Sequence, residues 1–264
     1  MDFKNGAELL ELCREHRCSI SEIMRQRECD LGETTPDTLQ TKMERILEIM
    51  RESASGKSIC GNVISRAITY ACAVLEVNTS MGLIVAAPTA GSSGIVPGVI
   101  LALKDEYRIS DDRLMDALFN AGAIGYLAMR NATVAGAVGG CQAEVGVAAA
   151  MAASAATELM GGEPEQCLSA ASSVLMNMLG LVCDPIGGLV ECPCQGRNAA
   201  GAAIAIAAAE MALSGIRQII PFDEMLAAMY SVGKKMPSEL RETALGGCAA
   251  TPTGCAFACG GCGQ

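Results

Sequence analysis

Val147-Ala148-Ala149-Ala150-Met151-Ala152-Ala153 and Ala202-Ala203-Ile204-Ala205-Ile206-Ala207-Ala208-Ala209-Glu210 decide the fold. Alanine is the strongest intrinsic helix former and a weak strand former, so both runs read as helices. Side chains this small also let helix axes approach closely, and such helices can surround something held at their centre. Working outward, four tightly packed helices are expected over Asp112 to Arg130, Gln142 to Met160, Glu165 to Leu179 and Asn198 to Gln218. No run of alternating β-branched residues and no strand-helix repeat accompanies them. The expected class is therefore all-α, a compact helical domain rich in Ala and Gly.

The N-terminal part is more polar. Apolar residues recur at helical spacing at Leu9, Leu12, Ile20, Ile23 and Met24, and again at Met43, Ile46, Leu47 and Met50. Thr34-Thr35-Pro36-Asp37 opens the second helix of this segment, with Pro36 in its first turn. After the polar turn Ser53 to Ser58 the charges thin out. One domain over 1–264 is expected, with amphipathic outer helices in 1–55, a buried core in 56–247 and a Cys-rich tail in 248–264. Val77 to Leu103 carries no charge, but Gly82, Pro88, Gly91, Ser92, Ser93, Gly94, Pro97 and Gly98 interrupt it. It reads as a buried loop and helix start in a protein with no membrane span.

Of the 264 residues, 51% are hydrophobic but only 3% aromatic, so the core is built from aliphatic side chains. The formal net charge of −10 is the wrong sign for a nucleic-acid binder. Fourteen cysteines stand against one histidine, His16. The start Met1 to Glu8 lacks the basic and apolar stretches of a signal peptide, so reduced thiols in a cytoplasm are expected. One His leaves little room for imidazole metal sites or a His-based catalytic pair. All-thiolate chemistry, structural zinc or iron-sulfur, is what remains. His16 itself, in Arg14-Glu15-His16-Arg17, reads as a solvated surface residue.

Two motifs stand out. Cys141, Cys183 and Cys194 each fall at a helix boundary beside Gly or Pro, where helix N-termini lower thiol pKa and favour metal-binding thiolates. Their spacing is unlike the compact runs of ferredoxins, so buried inert cysteines are the competing reading. The second motif is Thr89-Ala90-Gly91-Ser92-Ser93-Gly94, a turn opening an apolar helix. Its N–H groups and hydroxyls can cradle a carboxylate or phosphate, or form an ordinary loop. Cys13, Cys18, Cys29, Cys60, Cys72 and Cys167 read as packing residues. Arg51 to Ser58 fails as a P-loop because Arg51 stands where Gly is needed. Cys255, Cys259 and Cys262 have the spacing of a radical S-adenosylmethionine motif but close a chain that shows no barrel. Among the six lysines only Lys57 has a setting suited to a pyridoxal-phosphate Schiff base.

Taken together, Ser19 to Met24, the Pro88 to Gly98 loop, Gly139 to Gly146, Cys183 to Val190, Pro193-Cys194 with Arg197-Asn198-Ala199, and Leu240 to Gly247 resemble the α chain of bacterial iron-sulfur L-serine dehydratase. The resemblance runs over almost the whole chain. It implies a 4Fe-4S cluster enclosed by the helices and held by Cys141, Cys183 and Cys194, with one iron open to L-serine. It also implies a substrate carboxylate held by Thr89, Gly91, Ser92, Ser93 and Gly94. Arg197 then pairs with that carboxylate, steadies the cluster's charge, or forms a structural ion pair. Cys255, Cys259 and Cys262 are the options for a removable fourth ligand. A separate β subunit and an oligomer are expected, since nothing in 264 residues is left to form a β domain. The general base is unassigned. An L-cysteine desulfidase of the same superfamily and a non-catalytic iron-sulfur scaffold are the alternative functions.

Overall fold

A computed structural model describes residues 2–32, 35–53 and 63–258. Among the described residues the regular structure is helical, and the single β feature is an isolated parallel bridge between Cys183 and Arg241. The all-α expectation holds. Lys57, Cys60, Cys259, Cys262 and the turn from residue 54 to 58 lie outside the described residues.

The outer segment contains three helices: α1 (Gly6–His16), α2 (Ile20–Leu31) and α3 (Pro36–Ser53). The periodicity predicts two helices here. The break it missed is local: Arg17 takes a left-handed conformation with φ 52°, and Ser19 caps α2 in a reciprocal capping box with Glu22. Leu9, Ile20, Ile23, Leu47 and Met50 face inward and are buried, as their periodicity requires.

The inner helices are α4 (Val63–Thr79), α5 (Ile95–Tyr107), α6 (Asp111–Asn131), the short α7 (Gly136–Gly139), α8 (Val147–Leu159), α9 (Pro164–Asn177), α10 (Cys194–Leu213), α11 (Phe222–Lys235) and α12 (Pro252–Ala258). Helix α8 lies at the centre and packs against α5, α6, α9 and α10. Every residue from Val147 to Ala156 is buried, which is why a run of alanines serves where an amphipathic helix would not. Close approach is explicit where α5 crosses α4. A Cβ at Gly94 would sit 2.3 Å from the Ala71 carbonyl oxygen, and one at Gly98 would sit 2.8 Å from that of Ala67.

Two expected helix ends move. α10 begins at Cys194, because Pro193 at the cap position cannot continue a helix backward, and it ends at Leu213 ahead of Gly215, whose φ is 86°. The residues before α8, Gln142–Gly146, form a π turn. Such turns insert an extra residue into the helical ladder and re-aim the side chains around it.

Candidate thiolate site

The site forms where the π turn, the extended segment around Cys183, the start of α10 and the Thr89–Gly94 turn meet. Buried amides set these elements. Gln142 donates from Nε2 to the Met229 carbonyl at 2.9 Å and accepts the Gly180 N–H at 2.9 Å, tying the π turn to α11 and to the end of α9. Asn198, fully buried, accepts the Gly94 N–H at 3.1 Å and donates to the carbonyls of Gly91 (2.8 Å) and Cys194 (2.9 Å). One amide thus locks the Gly/Ser turn to the start of α10. Cys183 is held through its backbone: its N–H donates to Leu240 at 2.9 Å and its carbonyl accepts from Glu242 at 2.7 Å.

Onto this frame the sequence places Cys141, Cys183 and Glu144, whose sulfur and carboxylate atoms all lie within 4.8 Å of one another. The Cys183 thiol points at Glu144 Oε2, 3.7 Å away. Cys194 is buried close by, but its sulfur is outside that close group. Arg197, one turn along α10, sets Nη1 3.5 Å from the Cys141 sulfur and 2.9 Å from the Val182 carbonyl. Its Nη2 pairs with Asp184 Oδ1 at 2.7 Å. The second oxygen of Asp184 accepts the Cys248 N–H at 2.6 Å.

The electrostatics follow from this arrangement. The adjacent Cys183 thiol, with Arg197 assisting, outweighs burial and holds the Cys141 thiol below its ordinary value. Its Cys141 neighbour, together with burial and the nearby carboxylates of Glu144 and Glu242, raises Cys183. Burial pushes the Cys194 thiol up to about 12, with Cys141 and Glu144 adding to it. The expectation that helix starts lower all three thiols therefore fails for Cys183 and Cys194. Burial and neighbouring negative groups exceed the few tenths to one kcal/mol a helix end supplies, roughly. Glu144 is raised by burial and by Glu242, against hydrogen bonds from Thr89 and Cys183.

The Gly/Ser turn divides into two parts. Ser92 and Ser93 are fully buried and spend their hydroxyls internally, Ser92 on Thr89 Oγ1 at 3.0 Å and Ser93 on the Ala90 carbonyl at 2.8 Å. Thr89 and Gly91 lie on the Glu144 side: the Thr89 hydroxyl favours that group's charged form, and a Cβ on Gly91 would sit 3.9 Å from Glu144 Oε1. Cys255, on α12, is exposed and directs its sulfur to the Ala249 carbonyl at 3.5 Å. Cys13 and Cys167 are buried far from this chemistry, their thiols raised chiefly by burial, Cys13 to about 12. His16 is exposed.

Three site residues were not singled out by sequence reasoning: Glu144, Asp184 and Asn198. A signal for the first two exists. Glu144 is the sole charged residue between Arg130 and Glu158, and Asp184 the sole one between Glu165 and Glu191.

Buried thiols, one biased toward thiolate by its neighbouring thiol and a guanidinium, beside a carboxylate and under a Gly/Ser turn, define a thiolate-centred site inside a helical core. The chain belongs to the serine dehydratase alpha chain family, whose sequence model matches residues 15–249. It is 44% identical over 278 aligned positions to the probable L-serine dehydratase, alpha chain, of Bacillus subtilis (strain 168), covering 96% of this chain and 93% of that one. It is 40% identical to the L-serine dehydratase, alpha chain, of Peptoniphilus asaccharolyticus, covering 94% of each. Against L-serine dehydratase TdcG of Escherichia coli (strain K12) the identity is 37%, with 94% of this chain matched to 62% of that relative. No described helix is long and apolar enough to cross a membrane.

Proposed function

We propose that this chain is the alpha subunit of an L-serine dehydratase, a lyase that converts L-serine to pyruvate and ammonia by eliminating water. The observation that carries the reading is the convergence, in a chain of that family, of Cys141, Cys183, Glu144 and Arg197 beneath the Thr89–Gly91 turn.

The donor set fits a 4Fe-4S cluster held by Cys141, Cys183 and Cys194. Sulfur ligands without imidazole suit iron-sulfur chemistry. Cys194 standing outside the close group is compatible with this, because a cluster spans more space than a single ion. Room is kept for the donors at Gly136, where a Cβ would meet Glu144 Oε2 at 2.5 Å and the Cys183 sulfur at 3.0 Å. When bound, the cluster supplies a Lewis-acidic iron toward the β-hydroxyl of serine and turns hydroxide into a workable leaving group.

The chain's own groups do the rest. Arg197 offsets thiolate charge, with Asp184 fixing its plane. Thr89 and Gly91 take the substrate carboxylate, while Ser92, Ser93 and Gly94 brace that turn from behind through their internal bonds and Asn198. The group that removes the α-proton is unassigned on this chain, whose one histidine, His16, is exposed. The alpha-chain names of the Bacillus and Peptoniphilus relatives, and the greater length of the Escherichia coli one, support a separate β subunit and an oligomer. The reading includes action in the cytoplasm.

The test is an anaerobic assay of pyruvate release from L-serine and from L-cysteine, with the beta partner present and absent. Serine turnover exceeding cysteine turnover is expected. Faster turnover of cysteine makes the chain a desulfidase, and an intact cluster that releases no ammonia with the partner present makes it a scaffold.

A further inference from the structure

We infer that the cavity between α2, α6 and the end of α8 is a binding site for an α-amino acid, with Glu158 receiving the ammonium group and Arg113 the carboxylate. The site is separate from the thiolate centre, and the inference does not rest on the function proposed above.

The cavity has a volume of about 520 Å³, within the roughly 300–1,000 Å³ of small-molecule sites, and shares no residue with the thiolate site. Ser19, Ser21 and Glu22 line it, from the Ser19 to Met24 stretch that the thiolate chemistry leaves unused. Five charged side chains face it: Glu22, Arg25, Arg113, Asp116 and Glu158. Three of them are already engaged within the protein. Arg25 pairs with Asp116 and donates to Gln40 at 3.1 Å. Glu22 accepts the Ser19 N–H at 2.8 Å in the capping box of α2.

Glu158 and Arg113 remain. Glu158 is half-buried, and its Oε2 accepts Asn120 Nδ2 at 2.8 Å and the Ser21 N–H at 3.3 Å. Asn120 is fully buried and its own oxygen accepts the Ser154 hydroxyl at 2.6 Å, so its amide nitrogen is fixed toward the carboxylate. These dipoles hold the acid in place, but among the described residues no cation pairs with it, and burial raises its carboxyl. Arg113 has the opposite lack. Its Nη2 donates to the Leu159 carbonyl at 2.8 Å, at the end of α8, and among the described residues no carboxylate pairs with the guanidinium. An acid without a cation and a guanidinium without an anion, opening on one cavity, are complementary to a molecule that carries both charges. An amine or a carboxylic acid alone answers only half of the site. Ala117 and Leu159 add an apolar stretch of wall for a side chain.

The test uses the full chain purified without iron, so that a cluster plays no part. Calorimetric titrations are run with the common α-amino acids other than serine and cysteine, then with the decarboxylated amine and the deaminated acid of the tightest binder. At least one amino acid should bind more tightly than about 1 mM, and each half-molecule roughly tenfold more weakly or worse. Glu158→Gln keeps an acceptor for both donors but loses the charge, and should weaken binding about tenfold or more, as should Arg113→Met. Arg113→Lys should fall between wild type and Arg113→Met, which separates loss of charge from loss of the fold. Arg197→Met, at the thiolate site, should bind like wild type. No binding by any amino acid, an unchanged affinity in Glu158→Gln, or equal affinity for the amino acid and its amine overturns the inference. Loss of binding in Arg197→Met with Glu158→Gln unaffected puts the ligand at the thiolate site and overturns it as well.

Discussion

Arg197 reaches back along α10 to lay a guanidinium nitrogen 3.5 Å from the Cys141 sulfur, the one thiol of the site held below its ordinary value. The two residues come from different elements and meet only in the folded chain. A positive charge at that distance favours thiolate at Cys141, while the neighbouring Cys141 sulfur and burial raise Cys183.

Replacing Arg197 with Met should therefore raise the Cys141 thiol. In the iron-free chain the thiolate ultraviolet absorbance, taken as the difference from Cys141→Ala, is expected to develop at higher pH than in wild type. Arg197→Lys should fall between the two, because an ammonium keeps the charge but lacks the fork that joins Cys141 to Asp184. Coincident titration curves for wild type and Arg197→Met would contradict the assigned cause.

Asp184 is the other half of this arrangement. Its side chain is 3% exposed and balances Arg197, so Asp184→Ala leaves a largely buried cation unpaired. Urea unfolding of that variant should show a loss of about 3–5 kcal/mol. Burial raises the Asp184 carboxyl, but hydrogen bonds from Cys248 and Arg197 outweigh it and the net shift is downward. Its stabilisation is therefore complete above the ordinary value of 3.8 and is lost as pH falls through the lower folded value. The gap between wild type and Asp184→Asn should narrow on acidification below that range.

Glu158 behaves in the opposite sense. Burial raises it despite hydrogen bonds from Ser21 and from Asn120 at 2.8 Å. A carboxyl raised in the folded state contributes most below its unfolded value and loses that contribution as pH rises through the folded one. Glu158→Gln keeps an acceptor for both donors without the charge. It is expected to raise Tm relative to wild type at pH 8 and to make little difference at pH 4. A variant less stable at pH 8 would refute this.

Much of the architecture was legible, because the Ala-rich runs of α8 and α10 have one regular solution. The periodicity of Leu9, Ile20, Ile23, Leu47 and Met50 also assigned the inward faces of the outer helices. What escaped was set by single residues. Arg17 in a left-handed conformation splits α1 from α2, and a π turn sits where the sequence reads as continuous helix. In the site, the sequence reads Cys141, Cys183 and Cys194 as one set, and the fold brings the first two together with Glu144 while the Cys194 sulfur lies outside that close group. Thiol spacing says nothing about a carboxylate, whereas isolation of charge does. Glu144, Asp184 and Arg197 are each alone in a long uncharged stretch, and the fold gathers all three around the sulfurs. An isolated charge in an apolar stretch is buried with its segment and must find a partner.

The close crossing of α4 and α5 gives a separate prediction about the turn. A Cβ at Gly94 meets a backbone oxygen 2.3 Å away, which cannot rotate aside. Gly94→Ala should cost about 1–3 kcal/mol in urea unfolding and shift the turn that carries Thr89 and Gly91. Gly122, with open space around its Cβ position, is the control, and Gly122→Ala should be neutral or stabilising. Equal stability of the two variants would argue against the tight crossing.

The central claim, that Cys141, Cys183 and Cys194 hold an iron-sulfur cluster, is tested most directly by iron and sulfide analysis of anaerobically purified protein. Wild type should contain about four irons and a matching amount of sulfide per chain. Cys141→Ala, Cys183→Ala and Cys194→Ala should each lose the cluster, while Cys167→Ala, at a buried cysteine outside the site, keeps it. Full retention of iron and sulfide in all three site variants would contradict the account.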